Sequence, residues 1–203
     1  MGIARRTMIM AAAALTLAAC NNAGGSGAGA GVNEDMSLGP KDAKVTLIEY
    51  ASPTCPHCAA WNEEVFPVLK SRYIDTGKVR YVLREAPIHG APDVAVFMLG
   101  RCAGQDKYFQ VVDAAMRSLE EVQASGDLRG WVVRIGQSMG MNQQQIDTCL
   151  NDAKSMEALT KRAQKGMDEH QVRSTPTFIL NGRKLDTAPS AADLPGLIDP
   201  LLK

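Results

Sequence analysis

The feature that most constrains this chain is Cys55-Pro56-His57-Cys58, set where a strand and loop give way to a helix. Upstream, Val45-Thr46-Leu47-Ile48-Glu49-Tyr50 is apolar on both faces up to Glu49, the pattern of a central strand. Ala51 to Thr54 reads as a loop. Downstream, Cys58, Trp61, Val65 and Leu69 recur at helical spacing and make one apolar face. Cys55 is then the helix N-cap. Pro56 takes the first helical position, where its missing N–H costs nothing. The N–H groups of His57 and Cys58, with the positive helix end, favour a Cys55 thiolate. The His57 side chain adds a donor or, when protonated, a charge. Cys58 lies one turn further in and is expected to be buried, attacking only as the resolving thiol. A stabilised thiolate stabilises the reduced pair and makes its disulfide the better oxidant. Pro56 and His57 therefore point to an oxidising enzyme.

Other uses of a close cysteine pair fit less well. A zinc site needs four ligands, and no second close pair exists. A haem attachment motif requires His where Ala59 stands. An inert structural disulfide does not need a helix N-terminus, which is where cysteines become reactive. The sequence thus predicts no metal and no cofactor beyond the redox-active Cys55–Cys58 pair.

The rest of the chain suggests an α/β domain interrupted by helices. Pro67 lies inside the first helical pattern and should kink it. Val79 to Leu83 is a second strand, which completes a βαβ unit. From about Ala91 to His170 every periodic segment is helical, with stripes through Val94, Met98 and Cys102, through Leu128, Trp131, Val132, Ile135 and Met139, and through Ile146, Cys149, Leu150 and Ala153. Asn142 and Gln145 form a capping-box pattern before the last of these. Thr177 to Leu180, Asn181-Gly182 and Arg183 to Leu185 read as a hairpin with a type I′ turn. A final helix, capped by Ser190 and Asp193, is expected to bury Leu194, Leu197, Ile198 and Leu201.

The N-terminus reads as a targeting segment. Arg5 and Arg6 precede an Ala/Leu/Met run from Thr7 to Ala19 that is too short to span a bilayer comfortably. Leu17-Ala18-Ala19-Cys20 resembles the bacterial lipobox, which implies a leader over 1–19 and lipid on Cys20; the alternative is an ordinary signal peptide cleaved nearby. Residues 20–33 read as a Gly/Ala-rich tether, and 34–203 as the folded domain, with its helical insertion at about 90–170. Asn21, in place of Asp, favours the outer membrane over the inner. Export would put the domain on the periplasmic side, where disulfides persist. The whole chain has 22 basic and 22 acidic residues, and no basic patch marks a nucleic-acid binder.

Taken together, these motifs resemble the DsbA-type branch of the thioredoxin superfamily over about Glu34 to Lys203. Cys55-Pro56-His57-Cys58 is similar to its active-site motif. Glu49 stands where the family has a buried acid that assists proton transfer near the resolving cysteine. Ser174-Thr175-Pro176-Thr177-Phe178 resembles its cis-proline loop, which implies that Pro176 is cis, faces Cys55 and, with the backbone of Thr175, holds a substrate strand. The helical block resembles its insertion. Thr175 departs from the Val of strongly oxidising members and is similar to isomerases and reductases. His89 and His170 have no partners in sequence and read as structural or exposed. Cys102 and Cys149 are two buried thiols, a disulfide or a second redox relay, the last without a C-x-x-C context. An exported context favours the disulfide, worth about 4 kcal/mol on the chain-entropy model, and some DsbA-like proteins carry one in the insertion.

The function implied is thiol–disulfide exchange that introduces disulfides into reduced or unfolded exported polypeptides, with a membrane redox partner that reoxidises the pair. Lipid on Cys20 would be the membrane contact. A disulfide isomerase or reductase is the second reading. Isomerases of the superfamily usually gain a dimerisation segment, and a Gly/Ala tether has nothing to pack, so a monomeric oxidase is expected. A tethered binding or chaperone module is a third reading, against which both cysteines stand intact.

Overall fold

A computed structural model describes Gly2 and residues 31–203. The expected leader, Cys20 and the tether up to residue 30 lie outside the described residues. Among those described, no helix is long and apolar enough to cross a membrane.

The strands are β1 (Met36–Leu38), β2 (Val45–Ala51), β3 (Val79–Glu85), β4 (Thr177–Leu180) and β5 (Arg183–Lys184), forming one sheet in the order β1-β3-β2-β4-β5. β2 and β3 run parallel with Ala51 beside Glu85, so both end on the same side. β4 pairs antiparallel with β2, placing Phe178 opposite Glu49. Central β2 is buried along most of its length, as its two-faced apolar pattern requires. Asn181 and Gly182 both have positive φ, 45° and 82°, which gives the type I′ turn of the β4–β5 hairpin. Strand β1 carries no alternation that would announce it. It pairs Met36 with Leu83 and Leu38 with Tyr81, antiparallel to β3.

Helix α1 (Pro56–Glu64) follows β2, and α2 (Phe66–Leu69) continues it into a π-helical stretch over Lys70–Ile74. The break falls at Val65, before Pro67 rather than at it. Pro67 has no N–H and its ring crowds the carbonyl four residues back, so the chain starts a new turn instead. The block between the two halves comprises α3 (Ala91–Ala103), α4 (Gln105–Arg117), α5 (Leu119–Ser125), α6 (Leu128–Ser138), α7 (Gln143–Leu150) and α8 (Ala153–Glu169). Its core is Val96, Leu99, Val111, Trp131, Val132, Ile135 and Ile146. The capping box of α7 is formed by Asn142 and Gln145. The last helix, α9 (Leu194–Ile198), passes into a 3-10 turn over Asp199–Leu202. That tightening rotates Leu201 outward to 40% exposure, against the expectation that it is buried.

Residues 31–33 of the Gly/Ala-rich stretch lie among the described residues. Val32, the one branched apolar residue of that stretch, packs against the main core. Arg101 donates to the carbonyls of Gly31 and Glu34 while paired with buried Glu85. Arg162 pairs with both Glu85 and Asp35. These ions lash the chain's entry to the end of β3.

Cys102 and Cys149 form a disulfide with a Cα–Cα distance of 6.1 Å, joining α3 to α7 across 47 positions. Replacing both with Ala should lower unfolding free energy by about 4 kcal/mol, read by urea denaturation. A loss near zero would mean that the unfolded chain gains little freedom without it.

Candidate active site

Strand β2, the loop after it and α1 deliver the two cysteines to one end of the sheet. Cys55 is the N-cap in an extended conformation (φ −88°, ψ 120°), with Pro56 opening the helix. Its N–H donates to the Ser52 carbonyl at 3.1 Å. Both Cys55 and Cys58 are free thiols; Cys55 is 5% exposed and Cys58 is fully buried.

Their environments drive the two sulfurs apart. The Cys58 thiol, the Thr175 hydroxyl and the Cys58 and His57 backbone N–H groups favour a Cys55 thiolate and outweigh its burial. The Cys55 pKa is lowered from 9.0 to about 5, with the Cys58 contact the largest cause. No ordinary side-chain capping bond forms, because sulfur is a larger and weaker acceptor than oxygen, yet both N–H groups act on it. For Cys58 the Cys55 contact, burial and the charge of Glu49 all push the pKa far upward. His57 is exposed, and its backbone N–H is among the groups that lower the Cys55 pKa.

The Thr175–Pro176 peptide bond is cis, and the Thr175 carbonyl lies against the active-site sulfur. The Cys55 thiol donates to it at 3.4 Å. The buried Thr175 Oγ1 has no hydrogen-bond partner, and the Thr175 side chain is among the groups that favour the Cys55 thiolate. Glu49 is 2% exposed and accepts a hydrogen bond from the Tyr81 hydroxyl. Burial, eased by Tyr81 and reinforced by the Cys55 charge, raises its pKa from 4.5 to about 8. Trp61 belongs to the same buried core cluster as the two cysteines. It donates to the Pro189 carbonyl at 2.8 Å and lies 4.6 Å from the Phe178 ring centroid. Among the described residues, no group of three or more His, Cys, Asp or Glu could hold a metal ion.

The arrangement is one reactive sulfur, one shielded sulfur, a buried acid with a near-neutral pKa and a proline loop. The sequence of residues 32–200 matches the Thioredoxin family. The crystal structure of alpha-DsbA1 from Wolbachia pipientis is similar, with a TM-score of 0.76 and 28% identity, over 83% of this chain and 91% of that one. This chain belongs to the thioredoxin family, in its DsbA-type branch. A Rickettsia bellii protein that carries the provisional name of protein-disulfide oxidoreductase is 37% identical over 149 residues, or 73% of this chain and 57% of that protein. A Rickettsia conorii protein of the same provisional name is 35% identical over 167 residues. The chain thus spans little more than half the length of these curated relatives. BdbD of Bacillus subtilis, at 18% identity and a TM-score of 0.65, shares the fold.

In this DsbA-type chain the structure brings Cys55, Pro56, His57, Cys58, Glu49, Thr175 and Pro176 to one site, and puts Cys102 and Cys149 in the helical block. Sequence reasoning missed Ser52, Thr54, His89 and Asp93, which form a cluster directly behind Cys55. Asp93 is fully buried, and His89 stands half-exposed above it. Asp93 sits in the first turn of α3, where an acid ordinarily reads as a helix-start residue. Its complete burial is the signal, and only the fold reveals that. His170, the other histidine read as structural or exposed, meets the Tyr50 hydroxyl at 2.8 Å on the far side of β2.

Proposed function

We propose that this protein is a thiol–disulfide oxidoreductase that donates the Cys55–Cys58 disulfide to reduced polypeptides. The observation that carries the reading is the split between the sulfurs, with Cys55 ionising near pH 5 and Cys58 held as a thiol. In the forward direction a substrate thiolate attacks the Cys55 sulfur and breaks the Cys55–Cys58 bond. Cys58 leaves with the electron pair and takes up a proton, for which Glu49, with a pKa of about 8, is the nearby source. A second substrate thiolate then attacks its own partner in the mixed disulfide. Cys55 departs as a stable thiolate and the substrate keeps the new bond. The substrate loses two electrons and the pair gains them.

The low Cys55 pKa favours the oxidising direction, because every contact on the thiolate stabilises the reduced form. Thr175 belongs with this reading in physical terms, since its hydroxyl is among the groups that lower Cys55. Pro176 and the Thr175 backbone supply an edge for an extended substrate strand. Reduced polypeptides in an exported compartment are the substrates. A membrane redox partner reoxidises the pair, and lipid on Cys20 keeps the domain at the membrane, on the periplasmic side. One feature supports that placement: residues 31–35 meet the sheet beside Glu85, at the strand end that also carries Cys55.

The test is to mix the disulfide form with reduced, unfolded ribonuclease and, separately, with scrambled ribonuclease. Rapid disulfide formation with poor unscrambling is expected. Efficient unscrambling with slow oxidation would assign the site to an isomerase instead.

A further inference from the structure

Apart from the Cys55 N–H to Ser52 carbonyl bond, the loop that presents Cys55 is anchored from outside itself. Asp93, from the helical block, holds it. Oδ1 of Asp93 accepts hydrogen bonds from the Ser52 hydroxyl at 2.9 Å, the Thr54 hydroxyl at 2.6 Å and the Thr54 N–H at 3.3 Å. Oδ2 accepts from the His89 N–H at 2.9 Å. One fully buried carboxyl therefore gathers four donors, three of them from the residues just before Cys55. The imidazole of His89 closes the cluster, with Nδ1 at 3.1 Å from Ser52 Oγ and 3.0 Å from Thr54 Oγ1. Each hydroxyl has one proton, and each is directed at Asp93. Nδ1 must then carry the hydrogen and donate to the hydroxyl oxygens.

Ser52 is in turn bound to Cys55 and acts on Cys58. Its carbonyl accepts the Cys55 N–H. Its own N–H stabilises the thiolate form of Cys58. A chain of direct contacts thus runs from α3 through Ser52 and Thr54 to the redox pair.

We propose that Asp93 is a positioning residue for exchange at Cys55, clamping the Ser52–Thr54 loop so that the Cys55 sulfur meets its stabilising donors. The proposal rests on the reading of Cys55–Cys58 as the exchanging pair. What lowers the Cys55 pKa is contact on the sulfur itself, from Cys58, Thr175 and two N–H groups. Such contacts fall off steeply with distance and angle. A loosened loop lets the sulfur drift from them, and the thiolate loses stabilisation. Asp93→Asn is nearly isosteric but leaves one acceptor oxygen and turns an NH₂ towards groups that are already donors. The helical insertion is, on this view, part of the redox machinery and not only a cover for it.

The experiment compares the parent with Asp93→Asn, Thr54→Val and Thr54→Ser. Cys55 ionisation is followed by thiolate absorbance against pH, and glutathione is the probe for exchange rate. The Cys55 midpoint should rise by about half a pH unit or more in Asp93→Asn. Attack of glutathione on the disulfide form should slow by about threefold or more. Thr54→Val should reproduce part of both changes, and Thr54→Ser, which keeps the hydroxyl, should stay closer to the parent. A purely structural role would lower the unfolding midpoint and leave the Cys55 titration in place, which would overturn the proposal. If Asp93→Asn does not fold, the Thr54 pair decides by the same criterion. A parent inert towards glutathione would instead refute the reading of the redox pair.

Discussion

Titrated in its reduced form, the protein should show Cys55 ionising near pH 5 while Cys58 stays protonated throughout the range in which the fold survives. Alkylation at mildly acidic pH should label Cys55 almost alone. Cys55→Ser should abolish exchange. The same shift has a thermodynamic consequence that can be measured separately. The folded pKa lies below the ordinary value of 9.0, so the folded state binds fewer protons than the unfolded state between the two. Stability from this group is fully present above pH 9.0 and is lost as pH falls through about 5. The oxidised protein has no such thiol. Denaturation of both redox forms across this range should therefore show the reduced form gaining on the oxidised one as pH rises. The gain is on the order of 2 kcal/mol once solvent screening is allowed for. Parallel curves, or predominant labelling of Cys58, would remove the basis for the proposed direction of electron flow.

How far the sequence reaches depends on how local the physics is. Cys55-Pro56-His57-Cys58 was legible because helix capping, proline placement and an apolar stripe all act within one turn or two. The Asn181-Gly182 turn and the Asn142–Gln145 capping box were legible for the same reason. Strand β1 was not, since three residues carry no usable period and it exists only through pairing with β3. Leu201 continued an apolar stripe at α-helical spacing, but the chain had tightened to a 3-10 turn by then. Glu49 and Thr175 were reached only by family resemblance; their burial against Tyr81 and Cys55 is a property of the assembled sheet. The Asp93 cluster was out of reach altogether. It joins residues 52–54 to residue 93, and nothing in either segment marks the other.

Glu49→Gln should separate stability from turnover in opposite directions. Burial holds the Glu49 pKa at about 8 against an ordinary 4.5. The folded state therefore retains a proton that the unfolded state has released. The stability this represents is fully present below pH 4.5 and is lost as pH rises through about 8, where folding must bury a charge. Gln carries no charge at any pH and can still accept from the Tyr81 hydroxyl. The variant should accordingly lose this pH dependence and be the more stable protein above pH 8, by on the order of 3 kcal/mol. Turnover should move the other way. Cys58 is pushed far up in the reduced pair, and in the mixed disulfide burial and Glu49 still act on it, so it becomes a nucleophile only if something takes its proton. Gln cannot. A mixed disulfide between Cys55 and glutathione should decay by Cys58 attack about a hundredfold more slowly in the variant, the lower end of what a positioned base contributes. The parent rate should also rise with pH as Glu49 ionises near 8, and the variant should lack that rise. Unchanged decay in a more stable variant would mean that Glu49 is buried beside the redox pair without serving it, and that water takes the Cys58 proton instead.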